Sequence, residues 1–289
     1  MIEGTGYERH GIDRHRAASV LEQRGDATLG DRASPHRPAH GRRDRGCTGR
    51  RCAEAGERVL DVGCGTGTTV LKLAEAVGPN GRVLGVDISE QQLALAHQRV
   101  AAAGLNQVQL VLDDAATHHF APDTFDLGFS RFGVMFFADP VSAFRNIRGA
   151  MKRSGRLLLA VFRTGLENPW ATASVAAISH LVPPPAPLGP EEPGQFSWSD
   201  PARVKRILGD AGFRNVVMTP LDLSVAIGRD AAEAAEFATF IGQGARLLHG
   251  QSDETRQAVR AAFEAFFKPH EGPSGVTLPG ALWLVSAQV

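Results

Sequence analysis

The chain has 289 residues, 31 Lys plus Arg against 31 Asp plus Glu, and 43% hydrophobic residues, which suits one large α/β domain or two small ones. No apolar run approaches the roughly twenty residues of a membrane span, and no signal-peptide core follows Met1, so a cytoplasmic protein without membrane contact is expected. Cys47, Cys52 and Cys64 are too few and too irregularly spaced for a disulfide framework, and no Cys/His pairing suggests zinc or another metal.

Residues 1–55 read as a poorly structured or atypical segment. Between Met1 and Gly56 the large aliphatic residues are Met1, Ile2, Ile12, Val20, Leu21 and Leu29, and Tyr7 is the sole aromatic. Such a stretch buries too little apolar surface to offset the ordering of its backbone. Eleven Arg and eight acids give residues 1–56 a net +3, which leaves −3 on the remainder. Interspersed acids and the lack of an aromatic ladder argue against a nucleic-acid arm, and a mildly acidic body argues against a nucleic-acid substrate. The Arg, Gly, His and Pro richness also matches a frame-shifted reading of GC-rich coding sequence.

Val59 to Val62 reads as a buried strand that breaks into the glycine turn Gly63-Cys64-Gly65-Thr66-Gly67, with a helix from Thr68 to Val77. Glycines at this spacing admit positive φ and close approach, and the helix start offers unpaired N–H groups. A second strand, Gly81 to Val86, ends at Asp87, about twenty residues on, where a carboxylate can accept bonds from ribose hydroxyls. A third, Val108 to Leu112, ends in Asp113-Asp114-Ala115. Acidic residues at successive carboxyl ends define the ligand edge of a parallel sheet.

Asp61-x-Gly63-x-Gly65-x-Gly67, Asp87 and Asp114-Ala115 resemble the first three motifs of class I S-adenosylmethionine-dependent methyltransferases, of the small-molecule kind typified by UbiE. The similarity covers roughly residues 56–289. It implies a doubly wound, Rossmann-like seven-stranded α/β sheet of order 3-2-1-4-5-7-6, its last strand antiparallel, with a helical lid. It also implies S-adenosylmethionine as the cofactor, with Gly63, Gly65 and Gly67 under the methionine part, Asp87 on the ribose and Asp114 on the adenine amine. Cys64, Ile88, Asp113, Ala115 and Ser130 join the expected cofactor site as neighbours of these motifs.

Two features separate this pattern from a nicotinamide site. The Gly-x-Gly-x-x-Gly fingerprint would need glycine at Thr68, and Asp61 before the turn would repel a pyrophosphate while suiting the cationic side of S-adenosylmethionine. An NAD(P)-binding oxidoreductase is the alternative. A catalytically silent S-adenosylmethionine-binding protein is a third reading, because the aromatic-bearing helices that relatives place before the first strand are not visible in residues 1–55.

Thr124 to Phe129 reads as strand four, followed by the apolar run Phe132 to Phe137. Asp139 caps a helix with Pro140 in its first turn, and Val141, Phe144, Ile147 and Met151 recur at helical spacing. Lys152-Arg153-Ser154-Gly155 is expected to turn the chain into strand five, Arg156 to Phe162. Two lid insertions are expected, at 163–199 and 229–270. The first is a long loop containing Pro183-Pro184-Pro185-Ala186-Pro187, and the second holds helices at about Asp230 to Leu248 and Ser252 to Phe267. Between them lie a helix from Pro201 to Ala211 and strand six from Gly212. The last strand is expected around Ala281 to Ala287.

The sulfonium methyl carries its own reactivity, so the protein's expected contributions are in-line approach, exclusion of water and a proton acceptor where the acceptor atom needs one. Candidate groups are His118, His119 and His180, with Arg131 placed to orient an anionic substrate. The lid residues Trp170, Val175, Ile178, Leu181, Phe196 and Trp198 suit a small, partly apolar acceptor. Nothing in the sequence specifies the oligomeric state.

Overall fold

From Arg58 onward, apolar β-branched runs alternate with helical stretches, and a glycine or an acid stops each of the first three strands on the same side. The computed structural model describes residues 53–184, 189, 191–240 and 242–289. The first half runs β1 (Arg58–Val62), α1 (Thr68–Val77), β2 (Arg82–Asp87), α2 (Glu90–Ala102), β3 (Val108–Leu112), β4 (Phe125–Arg131), α3 (Pro140–Ala150) and β5 (Met151–Phe162). The second half runs α4 (Pro169–Ala177), α5 (Pro201–Asp210), β6 (Arg214–Gly228), α6 (Ala231–Phe240), α7 (Gly242–Leu247), α8 (Asp253–Phe267), β7 (Glu271–Gly272) and β8 (Gly275–Gln288).

The strands form one sheet of order β3-β2-β1-β4-β5-β8-β6, with the two-residue β7 paired to β8. β1 to β5 are parallel, and β8 runs antiparallel to both β5 and β6. The expected order and reversed last strand are therefore present, and the expected seventh strand is β8 because β7 precedes it. Helices cover both faces. Val70, Leu73 and Ala74 of α1 and Leu93 of α2 pack on one side. On the other lie Phe144 and Ile147 of α3 with Val204, Ile207 and Leu208 of α5. Each such buried aliphatic or aromatic side chain contributes about 1.5–3 kcal/mol.

Local signals set the helix starts. Asp139 Oδ1 accepts from Ser142 N at 3.0 Å, Ser89 Oγ from Gln92 N at 3.3 Å, and Asp200 Oδ1 from Ala202 N at 2.9 Å. Pro140, Pro169 and Pro201 open α3, α4 and α5, where a missing N–H costs nothing.

The structure corrects several boundaries. Residues 152–155 do not precede β5 but bulge within it: Met151 pairs with Phe125 and Arg156 with Leu127, so the chain folds tightly back between them. A Cβ on Gly155 would stand 2.7 Å from Lys152 O, which shows how sharp that fold is. Met151, expected on the helix, is the first residue of β5. β4 continues through Ser130 and Arg131. The 163–199 insertion carries a 3-10 turn, Gly165–Glu167, and α4 rather than loop alone. The expected helix over 230–248 is two helices, α6 and α7.

β6 and β8 are longer than expected, 15 and 14 residues, and their far ends carry a satellite core of Trp170, Ile178, Phe237, Phe263, Phe267 and Val276. The lid helices are thereby built onto the sheet. The readings made for Tyr7, Cys47, Cys52 and the rest of residues 1–52, for Pro185, Ala186 and Pro187, and for position 241 lie outside the described residues.

Candidate functional site at the carboxyl edge of the sheet

β1 ends in a turn whose three glycines take φ +69°, +55° and +87° at Gly63, Gly65 and Gly67, conformations that side chains disfavour. The N–H groups of Gly63 and Cys64 both donate to Val86 O, at 2.8 and 3.2 Å, folding the turn over the end of β2. A Cβ on Gly63 would stand 2.7 Å from Gly133 Cα in the loop after β4, and one on Gly67 3.0 Å from Ala96 Cβ of α2. Two of the three glycines thus serve close packing within the protein. Cys64 is buried among Val70, Leu73 and Val83. At Gly67 no side chain caps α1.

Asp87, half-buried at the end of β2, accepts from Gly65 N at 2.8 Å through Oδ2 and from Ser89 N at 2.9 Å through Oδ1. Each carboxylate oxygen retains acceptor capacity. Beside it Ile88 is 76% exposed, and Leu112 at the end of β3 is 53% exposed. Asp113 N donates to Asp87 O at 3.1 Å, linking the ends of β2 and β3.

Asp113 Oδ2 lies 2.7 Å from His118 Nδ1, and Asp113 Oδ1 accepts from Asp114 N at 2.8 Å. The His118 contact foremost, then that backbone N–H, holds the Asp113 carboxyl below the usual aspartate range. Asp114 is exposed, and its Oδ1 accepts from Ala116 N at 2.8 Å. Asn146 of α3, which sequence reasoning missed, donates to Ala115 O and His118 O at 3.1 and 2.9 Å and fixes this turn.

Two of the expected site residues are fully buried. Asp61 is wholly buried beneath the turn, where Thr69 Oγ1 donates to its Oδ2 at 2.5 Å. It steadies the first turn of α1. Ser130 is also fully buried, and its Oγ donates to Val62 O at 2.7 Å, clamping β4 to β1.

Past β4, Phe132 takes φ +67° and stacks on Phe162 with centroids 4.3 Å apart and planes 3° apart. Phe162 also meets Trp170 at 5.5 Å and Phe196 at 6.1 Å. The lid is rooted by the fully buried Asn168. Its Nδ2 donates to Thr164 O and Ala281 O at 2.9 and 3.1 Å, and its Oδ1 accepts from Ala281 N at 3.0 Å and Trp170 Nε1 at 3.1 Å. Phe136 and Leu166 stand out from this frame, 59% and 94% exposed. Trp198 and Ile178, expected in the lid roof, are core residues.

The candidate catalytic groups are not brought together. His118 is committed to Asp113 and lies edge-on to Phe120 at 4.6 Å, His119 and His180 are exposed, and half-buried Arg131 ends β4. His118 and His119 lie in the segment between β3 and β4, where Asn146 of α3 donates to His118 O. Among the described residues no group of three or more His, Cys, Asp or Glu side chains is arranged to hold a metal ion.

A glycine turn, carboxylates on neighbouring strand ends and exposed Ile88 and Leu112 suit a ligand with hydroxyl and amine donors and a flat apolar ring. With the sheet order and reversed last strand, this arrangement is that of a class I methyltransferase. A model of the family described as a methyltransferase domain matches residues 53–198. The chain is 27% identical over 179 residues to the demethylmenaquinone methyltransferase of Bacillus cytotoxicus, covering 59% of this chain and 76% of that one. It is 30% identical over 170 residues to the ubiquinone/menaquinone biosynthesis C-methyltransferase UbiE of Klebsiella pneumoniae, covering 56% and 68%. It is 37% identical over 112 residues to the aklanonic acid methyltransferase DauC of a Streptomyces species, covering 38% of this chain and 51%, about half, of that relative. In fold it is similar to the Bacillus subtilis YcgJ protein, with TM-score 0.52, 18% identity and coverage of 82% and 93%. The chain belongs to the class I S-adenosylmethionine-dependent methyltransferases and is an enzyme of that family.

Proposed function

We propose that the carboxyl edge of the sheet binds S-adenosylmethionine across the ends of β1, β2 and β3 and methylates a small, partly apolar, ring-bearing metabolite held between the β4 loop and the lid. The observation that carries the acceptor class is the placement of exposed large apolar side chains. Phe136 and Leu166, in the segments that follow β4 and β5, are the exposed large apolar side chains on the acceptor side of this site. The names of the quinone and aklanonic acid relatives support the same acceptor class.

In this reading the turn at Gly63, Gly65 and Gly67, with the backbone of Cys64, underlies the methionine part. Asp87 accepts from the ribose hydroxyls, Ile88 and Leu112 flank the adenine, and Asp113, Asp114 and Ala115 read its edge. When bound, S-adenosylmethionine supplies an activated methyl group on a sulfonium centre. The protein's share is to align the acceptor for direct displacement and to exclude water. Phe132 and Phe162 form the wall against which a planar acceptor lies. The acceptor's own acidity governs its deprotonation, since His118 is committed to Asp113 and His119 and His180 stand on the surface.

The catalytic domain is taken as 56–289, with lids at 163–199 and 229–270, and a cytoplasmic location is part of the same reading. Among the described residues no helix is long and apolar enough to cross a membrane. A thermal-shift comparison of S-adenosylhomocysteine, NAD and FAD, followed by methyl transfer to phenols, amines and quinols, tests the proposal. Stabilisation by S-adenosylhomocysteine with turnover of a quinol or phenol is expected. Stabilisation by NAD alone would return the chain to the oxidoreductase reading.

A further inference from the structure

Arg99, in the last turn of α2, reaches across to the glycine turn that follows β1. Its Nη1 donates to Thr66 O at 3.1 Å, to Thr66 Oγ1 at 2.7 Å and to Thr68 Oγ1 at 3.3 Å. We infer that Arg99 is a positioning residue of this methyltransferase, setting the grip of the turn on the amino-acid part of the cofactor through Thr66 and Thr68. That role rests on the reading that the turn underlies the methionine part of S-adenosylmethionine.

The contacts fall where the shape of the turn is decided. Thr66 is buried between Gly65 and Gly67, which take φ +55° and +87°. The peptide joining Thr66 to Gly67 is held at both of its polar atoms: the carbonyl accepts from Arg99, and the N–H donates to Cys64 O at 3.0 Å. A guanidinium donor makes the carbonyl bond charge-assisted, roughly twice as strong as a neutral one. Thr68 is the first residue of α1, so the same nitrogen also ties the turn to the helix start.

An arginine in the last turn of a helix ordinarily complements the helix dipole. Here Nη1 is aimed instead at residues 33 and 31 positions away in the chain. Ala96, three residues earlier on the same face of α2, is wholly buried, and a Cβ on Gly67 would stand 3.0 Å from its Cβ. The helix thus supports the turn at two points. At its other end Ser89, the N-cap of α2, holds Asp87 Oδ1 through its N–H at 2.9 Å. The ribose acid therefore keeps a support of its own, and loss of Arg99 should loosen the turn selectively.

Two ligands separate this role from general support of the fold: S-adenosylhomocysteine, and methylthioadenosine, which keeps the nucleoside and lacks the amino-acid chain. Each is titrated by calorimetry into the full chain as wild type, Arg99→Met and Arg99→Lys. Arg99→Met is expected to bind S-adenosylhomocysteine about tenfold more weakly, with methylthioadenosine affinity held. Lysine keeps the charge but ends one bond short, so Arg99→Lys should recover part of the loss. If Arg99→Met does not fold, Thr66→Val, which removes only the hydroxyl acceptor, takes its place and should show the same selective loss in smaller measure. Unchanged S-adenosylhomocysteine affinity in Arg99→Met, or equal weakening of both ligands in either variant, overturns the assignment. A wild type that binds neither ligand overturns the cofactor reading, and the assignment with it.

Discussion

Asp87, at the end of β2, accepts the N–H of Gly65, in the turn after β1, at 2.8 Å. The acid that a ribose would meet and the turn that would underlie the methionine part are thus one hydrogen-bonded unit. Ser89 N holds the other oxygen at 2.9 Å, so the carboxylate is oriented before ligand arrives and little ordering remains to be done on binding.

Gly63 carries both positive φ and a close approach to Gly133. Replacing it with Ala brings a Cβ to 2.7 Å from Gly133 Cα in a conformation that side chains disfavour. Gly63→Ala is expected to cost on the order of 1–3 kcal/mol and to weaken S-adenosylhomocysteine binding as the turn shifts. Urea unfolding with calorimetry checks this; wild-type values for both would show that the turn adapts freely.

Asn168→Ala should destabilise the lid root, because Ala281 loses two side-chain bonds in a buried setting. The expected loss is about 2–4 kcal/mol by chemical denaturation, with KM for the acceptor raised and cofactor affinity little changed. An unaltered denaturation midpoint contradicts this role.

Asp126 supplies a pH dependence. Burial by itself raises its carboxyl, but the hydrogen bond from Lys152 at 2.7 Å and that from Arg58 N at 2.9 Å outweigh it and hold the group below the ordinary aspartate value. A lowered folded-state pKa contributes stability that is present above the unfolded value of about 4 and lost as the pH falls through the folded one. Asp126→Asn should therefore be less stable than wild type at neutral pH by on the order of 1 kcal/mol, discounted for the exposure of Lys152. The gap should close below about pH 4. A gap that persists unchanged in acid contradicts the assignment.

Leu166 is 94% exposed on a turn locked by Thr164, Glu167 and Asn168. If an apolar acceptor covers it, Leu166→Ser should raise KM for that acceptor roughly tenfold, with kcat and S-adenosylhomocysteine affinity near wild type. An unmoved KM places the acceptor elsewhere.

The strand, turn and helix order was legible in the sequence because its signals are local: glycine spacing, strand-end acids, Asp139 before Pro140. The exposed strand-end acids Asp113 and Asp114 also stand where that order puts them. Burial was not legible. Asp61 and Ser130 read as mouth residues because they adjoin the turn and the β4 end, yet packing across 68 residues turns Ser130 toward Val62. Asn168 gave no signal, since its partner Ala281 lies 113 residues away. The positive φ of Phe132, which stacks on Phe162 thirty residues away, is likewise encoded by no local pattern.

The central claim is most directly tested by titrating S-adenosylhomocysteine into wild type and Asp87→Ala by calorimetry. The account predicts binding to wild type and a loss of about 1.5–3 kcal/mol in the variant, roughly a ten- to hundredfold weaker Kd, with the variant still folded. Equal affinity in the two proteins, or no binding to wild type, would contradict a cofactor site built on Asp87 and the turn it braces.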